Sequence, residues 1–151
     1  MSDLERAKRM LAEKSTLSCV LCRGERFYTS EKRGIAPMMD FLDADYTMDG
    51  FSVADRIVGR AAAMLFVLAG IQWVYADVMS EGALSFLQAH GVNVSYGILT
   101  PYIVNRRGNG QCPMEEAVRD ICDPAQARAV IRKTMQRLKE RGGDNIVEIH
   151  E

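Results

Sequence analysis

Four polar residues stand where strands are predicted to pass into helices, a position from which side chains can hold a small ligand. Asp55 and Arg60 flank one such junction, and Ser80 and Glu81 form the next. Ligands of open α/β sheets bind at the carboxyl ends of strands, near helix N-termini, so these residues predict a pocket for a small polar ligand. The alternative is structural: Ser80 caps a helix, Glu81 complements its dipole, and Asp55 pairs with an arginine.

A second candidate lies in the loop of residues 101–110, which contains Asn105, Arg106 and Arg107 close to glycines. Arginines in a glycine-containing loop that leads into a helix N-terminus predict an anion cradle. The loop lacks the Lys-Ser/Thr ending of a P-loop, so the sequence does not indicate nucleotide hydrolysis. A turn with solvated arginines is the alternative, since short Gly/Asn clusters usually mark turns.

Cys112 and Glu115 lie at the start of the helix that follows this loop, with Pro113 at its first position. At an N-cap, the helix dipole favours a thiolate, and a thiolate would make Cys112 a nucleophile. Neither histidine, His90 or His150, is near in sequence to act as its base. A catalytic Cys112 is therefore an alternative to a binding site that Cys112 and Glu115 help to form.

Cys19 and Cys22 have the spacing of a redox or zinc pair but lie in a predicted strand. Residues three apart in a strand point to opposite faces, so the two thiols should pack separately in the core. Cys112 and Cys122 have the wrong spacing for a second zinc pair. We therefore predict free thiols and no metal or other cofactor.

The composition favours a single folded domain: 48% of the 151 residues are hydrophobic and 26% are charged. A net charge of −1 attracts neither nucleic acid nor a membrane. The basic residues of the last helix have no aromatic neighbours for stacking on bases and are predicted to be a solvated face. The longest apolar run, residues 61–69, is too short to cross a bilayer, and the polar N-terminus predicts a cytoplasmic protein.

The pattern of apolar and turn-forming residues predicts strands and helices in alternation. An N-terminal helix occupies residues 1–14 and opens with a capping box of Ser2 and Glu5. The predicted strands are residues 17–22, 26–30, 51–55, 72–78 and 92–99, and later helices begin near residues 37, 59, 80, 112 and 123. From residue 51 the strand–helix order implies parallel pairing, with helices on both faces of the sheet. Residues 142–151 are predicted to be a flexible tail.

Two stretches, DRIVGRAAA at residues 55–63 and the segment 105–115, carry a resemblance to a known family. Over roughly residues 17–130 the chain resembles the uncharacterised prokaryotic domain-of-unknown-function family 1893. That family is grouped structurally with the cytidine deaminases. The resemblance implies a three-layer α/β/α sandwich with a mixed, about five-stranded sheet.

A zinc deaminase needs His-x-Glu at the start of its buried helix and Pro-Cys-x-x-Cys where the next strand enters its helix. Here residues 59–61 read Gly-Arg-Ala, and residues 80–83 read Ser-Glu-Gly-Ala. Without a metal to lower the pKa of water, the hydrolytic nucleophile is missing. The resemblance therefore implies the fold and not the activity.

These observations predict a non-catalytic, deaminase-like domain that binds a small polar or anionic ligand. The predicted ligand-binding residues are Asp55, Arg60, Ser80, Glu81, Asn105, Arg106, Cys112 and Glu115. One alternative is an enzyme of unknown reaction that uses Cys112 or a carboxylate at the strand ends. Another is an interaction or oligomerisation module, since exposed strand edges often pair.

Overall fold

The computed structural model of the protein describes residues 1–104 and 112–141. The strands are β1 (Cys19–Arg23), β2 (Arg26–Ser30), β3 (Ser52–Val58), β4 (Trp73–Ser80) and β5 (Asn93–Thr100). The helices are α1 (Asp3–Glu13), α2 (Ala36–Asp43), α3 (Arg60–Ala69), α4 (Glu81–Ala89), α5 (Pro113–Val118) and α6 (Pro124–Arg141). Every predicted strand and helix is present, and the prediction of a mixed α/β protein is confirmed. No helix in these two ranges is long and apolar enough to cross a membrane.

The five strands form one mixed sheet in the order β2-β1-β3-β4-β5. β1 runs antiparallel to both β2 and β3, whereas β3, β4 and β5 run parallel to one another. The β1–β2 hairpin turns at Gly24, whose φ of +62° is a conformation that glycine adopts without a steric penalty. The predicted parallel pairing from β3 onwards is confirmed. It places the C-terminal ends of β3, β4 and β5 at the same end of the sheet.

Four successive side chains of β1, residues 19–22, are buried, so both faces of this strand are covered. On one face, Val20 and Cys22 pack with Ala7 and Leu11 of α1. On the other face, Cys19 belongs to the larger core around α3. The two cysteines of the Cys-x-x-Cys spacing therefore lie on opposite faces, as predicted, and no disulfide joins the cysteines, all of which lie among the described residues.

Helix α3 is the central helix of the larger core and packs against α2, α4, α5 and α6. Residues 61–66 are all buried, which explains why the sequence of this helix is apolar on every side. Gly59 is its N-cap and Gly70, with a φ of +84°, is its C-cap. Glycine ends helices in this left-handed conformation without the strain that a β-carbon brings, so the predicted bounds of α3 are confirmed.

Strand β3 is longer than predicted, and this changes the position of Asp55. The strand continues through Ile57 and Val58, which pair with Val78 and Met79 of β4. Apolar β-branched residues favour a strand, and the parallel pairing with β4 extends it. Asp55 consequently lies within β3, opposite Cys19 of β1, and not at the strand end as predicted.

Candidate functional site

The N-terminus of α3 holds a carboxylate that comes from a distant part of the chain. Glu115 Oε1 accepts the N–H of Arg60 at 2.7 Å, and Oε2 accepts the N–H of Ala61 at 2.8 Å. A helix leaves its first N–H groups without partners, and its dipole favours negative charge at this end. One buried carboxylate therefore satisfies two of these donors, and the protein itself fills the anion position of α3.

Competing effects act on the pKa of the Glu115 carboxyl. Burial raises the pKa of its carboxyl above the usual value, while the N–H groups of Ala61 and Arg60 and the charge of Arg60 oppose the rise. The Arg60 guanidinium donates to the carbonyl oxygens of Val118 and Ile121 and lies over the Phe86 ring, 5.1 Å from its centroid. Arg60 thus joins α3 to the end of α5 and to α4.

Gly59 leaves the space that this carboxylate occupies. A β-carbon at position 59 would lie 2.5 Å from Glu115 Oε1 and 2.6 Å from its Cδ, well inside van der Waals contact. The φ of −102° at Gly59 is accessible to any residue, so the requirement for glycine is steric.

We expect Gly59→Ala to lower the free energy of unfolding by about 1–3 kcal/mol, because the added β-carbon displaces the Glu115 carboxylate. Chemical denaturation measures the loss. Gly82→Ala is the matched control, since a β-carbon there finds its nearest neighbour at 3.9 Å. In a protein that already carries Glu115→Ala, Gly59→Ala should lower the free energy of unfolding only slightly. An undiminished loss there would contradict the clash between the added β-carbon and the Glu115 carboxylate.

A small cleft of about 20 Å³ lies beside this carboxylate. It is lined by Gly34, Ile35, Ile57, Gly59, Ala61, Ala62, Ile103, Cys112, Met114 and Glu115. One water molecule needs roughly 10–15 Å³, so the cleft has room for about one group of that size. Its walls are mainly apolar, and the Cys112 thiol and the Glu115 carboxylate are the polar side-chain groups among its described lining residues.

Cys112 is a buried thiol at the N-cap of α5. Burial raises the pKa of this thiol, although the N–H groups of Met114 and Glu115 oppose the rise. A raised pKa disfavours the thiolate that the sequence predicted at this helix N-terminus. Desolvation of the thiol outweighs the contribution of the helix. The N–H of Cys112 also donates to the carbonyl of Ile103 at 3.1 Å.

Asp55 belongs to a separate buried group on the neighbouring strands. Burial raises the pKa of its carboxyl to about 7, although hydrogen bonds from the N–H groups of Arg56 and Ile57 and from the Cys19 thiol oppose the rise. Burial and the charge of Asp55 raise the pKa of Cys19 well above its ordinary value. Asp55 is not among the described residues that line the cleft.

The expected pairing of Asp55 with an arginine side chain is not what the structure has. Arg56 gives Asp55 only its backbone N–H, at 2.7 Å. Its guanidinium lies on the opposite face, where it donates to the carbonyl of Leu11 at 2.7 Å and contacts Asp77 at 3.4 Å. Successive residues of a strand point to opposite faces, so Arg56 cannot reach its neighbour's carboxylate.

Of the other residues predicted to bind a ligand, only some lie near the start of α3. Ser80 is buried, and its Oγ accepts the N–H of Ala83 at 3.0 Å, which makes it the N-cap of α4. A β-carbon at Gly82 would lie 3.9 Å from Arg60 Cβ and 4.0 Å from Ser80 Oγ, so α3 and α4 begin side by side. Glu81 is exposed to solvent. Asn105 and Arg106 lie outside the described residues, as do residues 142–151.

The residues at the start of α3 do not form a zinc site. Gly59, Arg60 and Ala61 at the start of α3 offer no zinc-ligand side chain, and the N–H groups of Arg60 and Ala61 bind Glu115. Within residues 1–104 and 112–141, no three His, Cys, Asp or Glu side chains are grouped closely enough to hold a metal. A zinc-bound nucleophile therefore has no support from these residues.

Comparison with known proteins assigns the family. The family described as "Domain of unknown function (DUF1893)" matches residues 6–135, which is most of the chain. The chain belongs to the DUF1893 family. A crystal structure of a DUF1893 family protein (TM1506) from Thermotoga maritima matches it with a TM-score of 0.77 and 26% sequence identity, covering 91% of each chain. No curated protein matches the chain. The predicted family is thus confirmed.

In this DUF1893 chain the sequence predicted Glu115 as a ligand contact. It did not predict the hydrogen bonds that Glu115 accepts from the first N–H groups of α3. A signal was present: the N-cap of α3 is Gly59, which has no side chain to accept a hydrogen bond. A buried helix that starts in this way needs an acceptor from elsewhere. The pairing of Cys19 with Asp55 had no comparable signal, because it depends on the register between β1 and β3.

Proposed function

We propose that this DUF1893 protein is a non-catalytic, deaminase-like domain that binds a small polar ligand at the cleft beside α3. The observation that supports the proposal is a buried carboxylate, Glu115, next to the Cys112 thiol in a mainly apolar cleft. A carboxylate has about four lone-pair positions, and the N–H groups of Arg60 and Ala61 occupy two of them. Glu115 can therefore accept further hydrogen bonds from a ligand.

The same carboxylate limits the chemistry of the ligand. A second anion beside Glu115 would meet like charge at low dielectric, so a polar ligand is favoured over an anionic one. The volume of about 20 Å³ admits a single group of about the size of an amine. We infer a ligand that inserts one N–H-bearing group next to Glu115 and leaves the rest of its body outside.

The deaminase-like, three-layer arrangement is part of the proposal. It is supported by α1 on one face of the sheet and by the core around α3, which includes residues of α2, α4, α5 and α6, on the other. The deaminase-like grouping predicts a pocket at the start of α3. It predicts no reaction, because other residues stand in the positions of the zinc ligands. Cysteines without disulfide bonds suit the reducing cytoplasm, where we propose that the protein acts as one domain.

The test is the intact mass of freshly purified protein under native and denaturing conditions. We expect a discrete extra mass in the native spectrum of the wild type that disappears on denaturation. Glu115→Gln removes the negative charge and one acceptor, and Cys112→Leu fills the cleft, so both should lose the extra mass. Glu116→Gln is the matched control, because Glu116 is exposed on the same helix, and it should keep the ligand.

Circular dichroism of each variant confirms that it is folded before its mass is interpreted. An extra mass that persists in both folded cleft variants would place the ligand elsewhere. A wild type that carries no extra mass at any charge state would contradict the proposal, and a mass equal to zinc would replace it with a metal-binding function.

A further inference from the structure

Strand β5 presents an exposed apolar surface at one edge of the sheet. It follows β4 as the last strand in the order, and among the described residues no strand pairs with its outer side. Large apolar side chains with high exposure occur on β5, at the start of the neighbouring β4 and just beyond β5: Trp73, Tyr96, Ile98, Leu99, Tyr102 and Val104. Ile98 alone is 63% exposed. Exposed apolar side chains concentrated on and around an edge strand mark an interaction site more often than scattered ones do.

The two edges of the sheet differ in charge. No Asp, Glu, Lys or Arg occurs from residue 82 to residue 105, although 26% of the chain is charged. At the opposite edge, β2 begins with Arg26, and Glu31, Lys32 and Arg33 follow its last residue. Proteins use charged residues to prevent unwanted pairing of edge strands. The β2 edge has this protection and the β5 edge lacks it.

We propose that β5 pairs in antiparallel fashion with β5 of a second copy of this chain, about a twofold axis, so that the two sheets become continuous. A twofold interface must be self-complementary, and an uncharged strand meets this condition because no like charges face each other across the axis. A charged partner strand would instead bury its charges against uncharged neighbours, which is costly. The net charge of −1 adds little repulsion between copies.

The size of the surface sets the strength of the dimer. The exposed parts of its six large side chains amount to roughly 500 Å² per copy, judged from typical side-chain areas. Stable interfaces bury about 800 Å² per partner, and pairing of the strand backbones adds to the side-chain contribution. The dimer should therefore be reversible, with monomer at low micromolar concentration and dimer at higher concentration.

Analytical ultracentrifugation over about 1–200 μM tests the proposal. We expect the wild-type mass to rise from that of the 16.9 kDa monomer towards twice that value. Ile98→Lys places a charge at the centre of the interface and should raise the dimer dissociation constant at least about 100-fold. Thr29→Lys makes the same kind of change at an exposed position of the β2 edge and should leave the dimer intact.

Far-ultraviolet circular dichroism and thermal unfolding confirm that both variants are folded. A second variant, Tyr96→Lys, keeps the test decisive where Ile98→Lys fails to fold. A wild type that stays monomeric across the whole range would overturn the proposal. A dimer that persists equally in wild type and in both folded β5 variants would also overturn it, because the interface would lie elsewhere.

Discussion

Replacing Glu115 with alanine is expected to lower the free energy of unfolding by about 3–5 kcal/mol. The substitution removes the acceptor of the buried Ala61 N–H and of the part-buried Arg60 N–H at the start of α3. Each unsatisfied buried donor costs about 1–3 kcal/mol, and the truncated side chain leaves a cavity in addition. Equilibrium denaturation with urea, followed by circular dichroism, measures the loss.

Glu116→Ala is the matched control, since Glu116 is the next residue of α5 and is exposed. Its cost should be within about 0.5 kcal/mol of zero, as for most surface substitutions. Glu115→Gln retains one carbonyl oxygen as an acceptor and should lie between the two alanine variants. Equal costs for Glu115→Ala and Glu116→Ala would contradict the structural role assigned to Glu115.

Asp55→Asn is expected to remove a pH dependence of stability that the wild type has. The pKa of Asp55 is about 7 in the folded protein against an ordinary value of 3.8, so the folded state binds the proton more tightly. The free energy of unfolding should therefore rise as the pH falls through about 7 and should level off below 3.8. The contribution from this one carboxyl is up to about 4 kcal/mol.

Denaturant titrations of wild type and Asp55→Asn between about pH 4 and pH 8.5 provide the measurement. Burial also raises the pKa of Glu115, so the informative quantity is the difference between the two proteins at each pH. This difference should favour the asparagine variant increasingly towards high pH. Asp40→Asn, a change at an exposed carboxylate, should follow the wild type. Parallel curves for wild type and Asp55→Asn would show that the folded and unfolded states bind the Asp55 proton equally.

The elements that could be predicted are those with local causes. The capping box of Ser2 and Glu5 is present in the structure, and Gly59 and Gly70 bound α3 as expected. Apolar residues on every side of α3 predicted its burial, and the strand–helix alternation predicted the parallel half of the sheet. Each of these signals lies within one helix or within one strand–turn unit, where spacing determines which side chains share a face.

The parts of the site that could not be predicted depend on contacts between distant residues. Glu115 meets Arg60 from 55 positions away, and no local pattern encodes that approach. The register of β1 against β3 brings Cys19 to Asp55, and it follows from pairing of the whole strands. Glu81 illustrates the converse: its place after a strand suggested a ligand contact, but the turn into α4 leaves its side chain in solvent.

The carboxylate at the start of α3 is synthesised long after the helix that needs it. At about 5–20 residues per second, Glu115 follows Arg60 by roughly 3–11 seconds of translation. All five strands of the sheet, which end at Thr100, precede Glu115 in the chain. A nascent chain therefore contains all five strands of the described residues before it contains the carboxylate that binds the first N–H groups of α3. A product cut short between these points lacks the acceptor of two α3 donors as well as α5 and α6, which pack on α3, and such an incompletely closed chain is a natural target for cellular proteases.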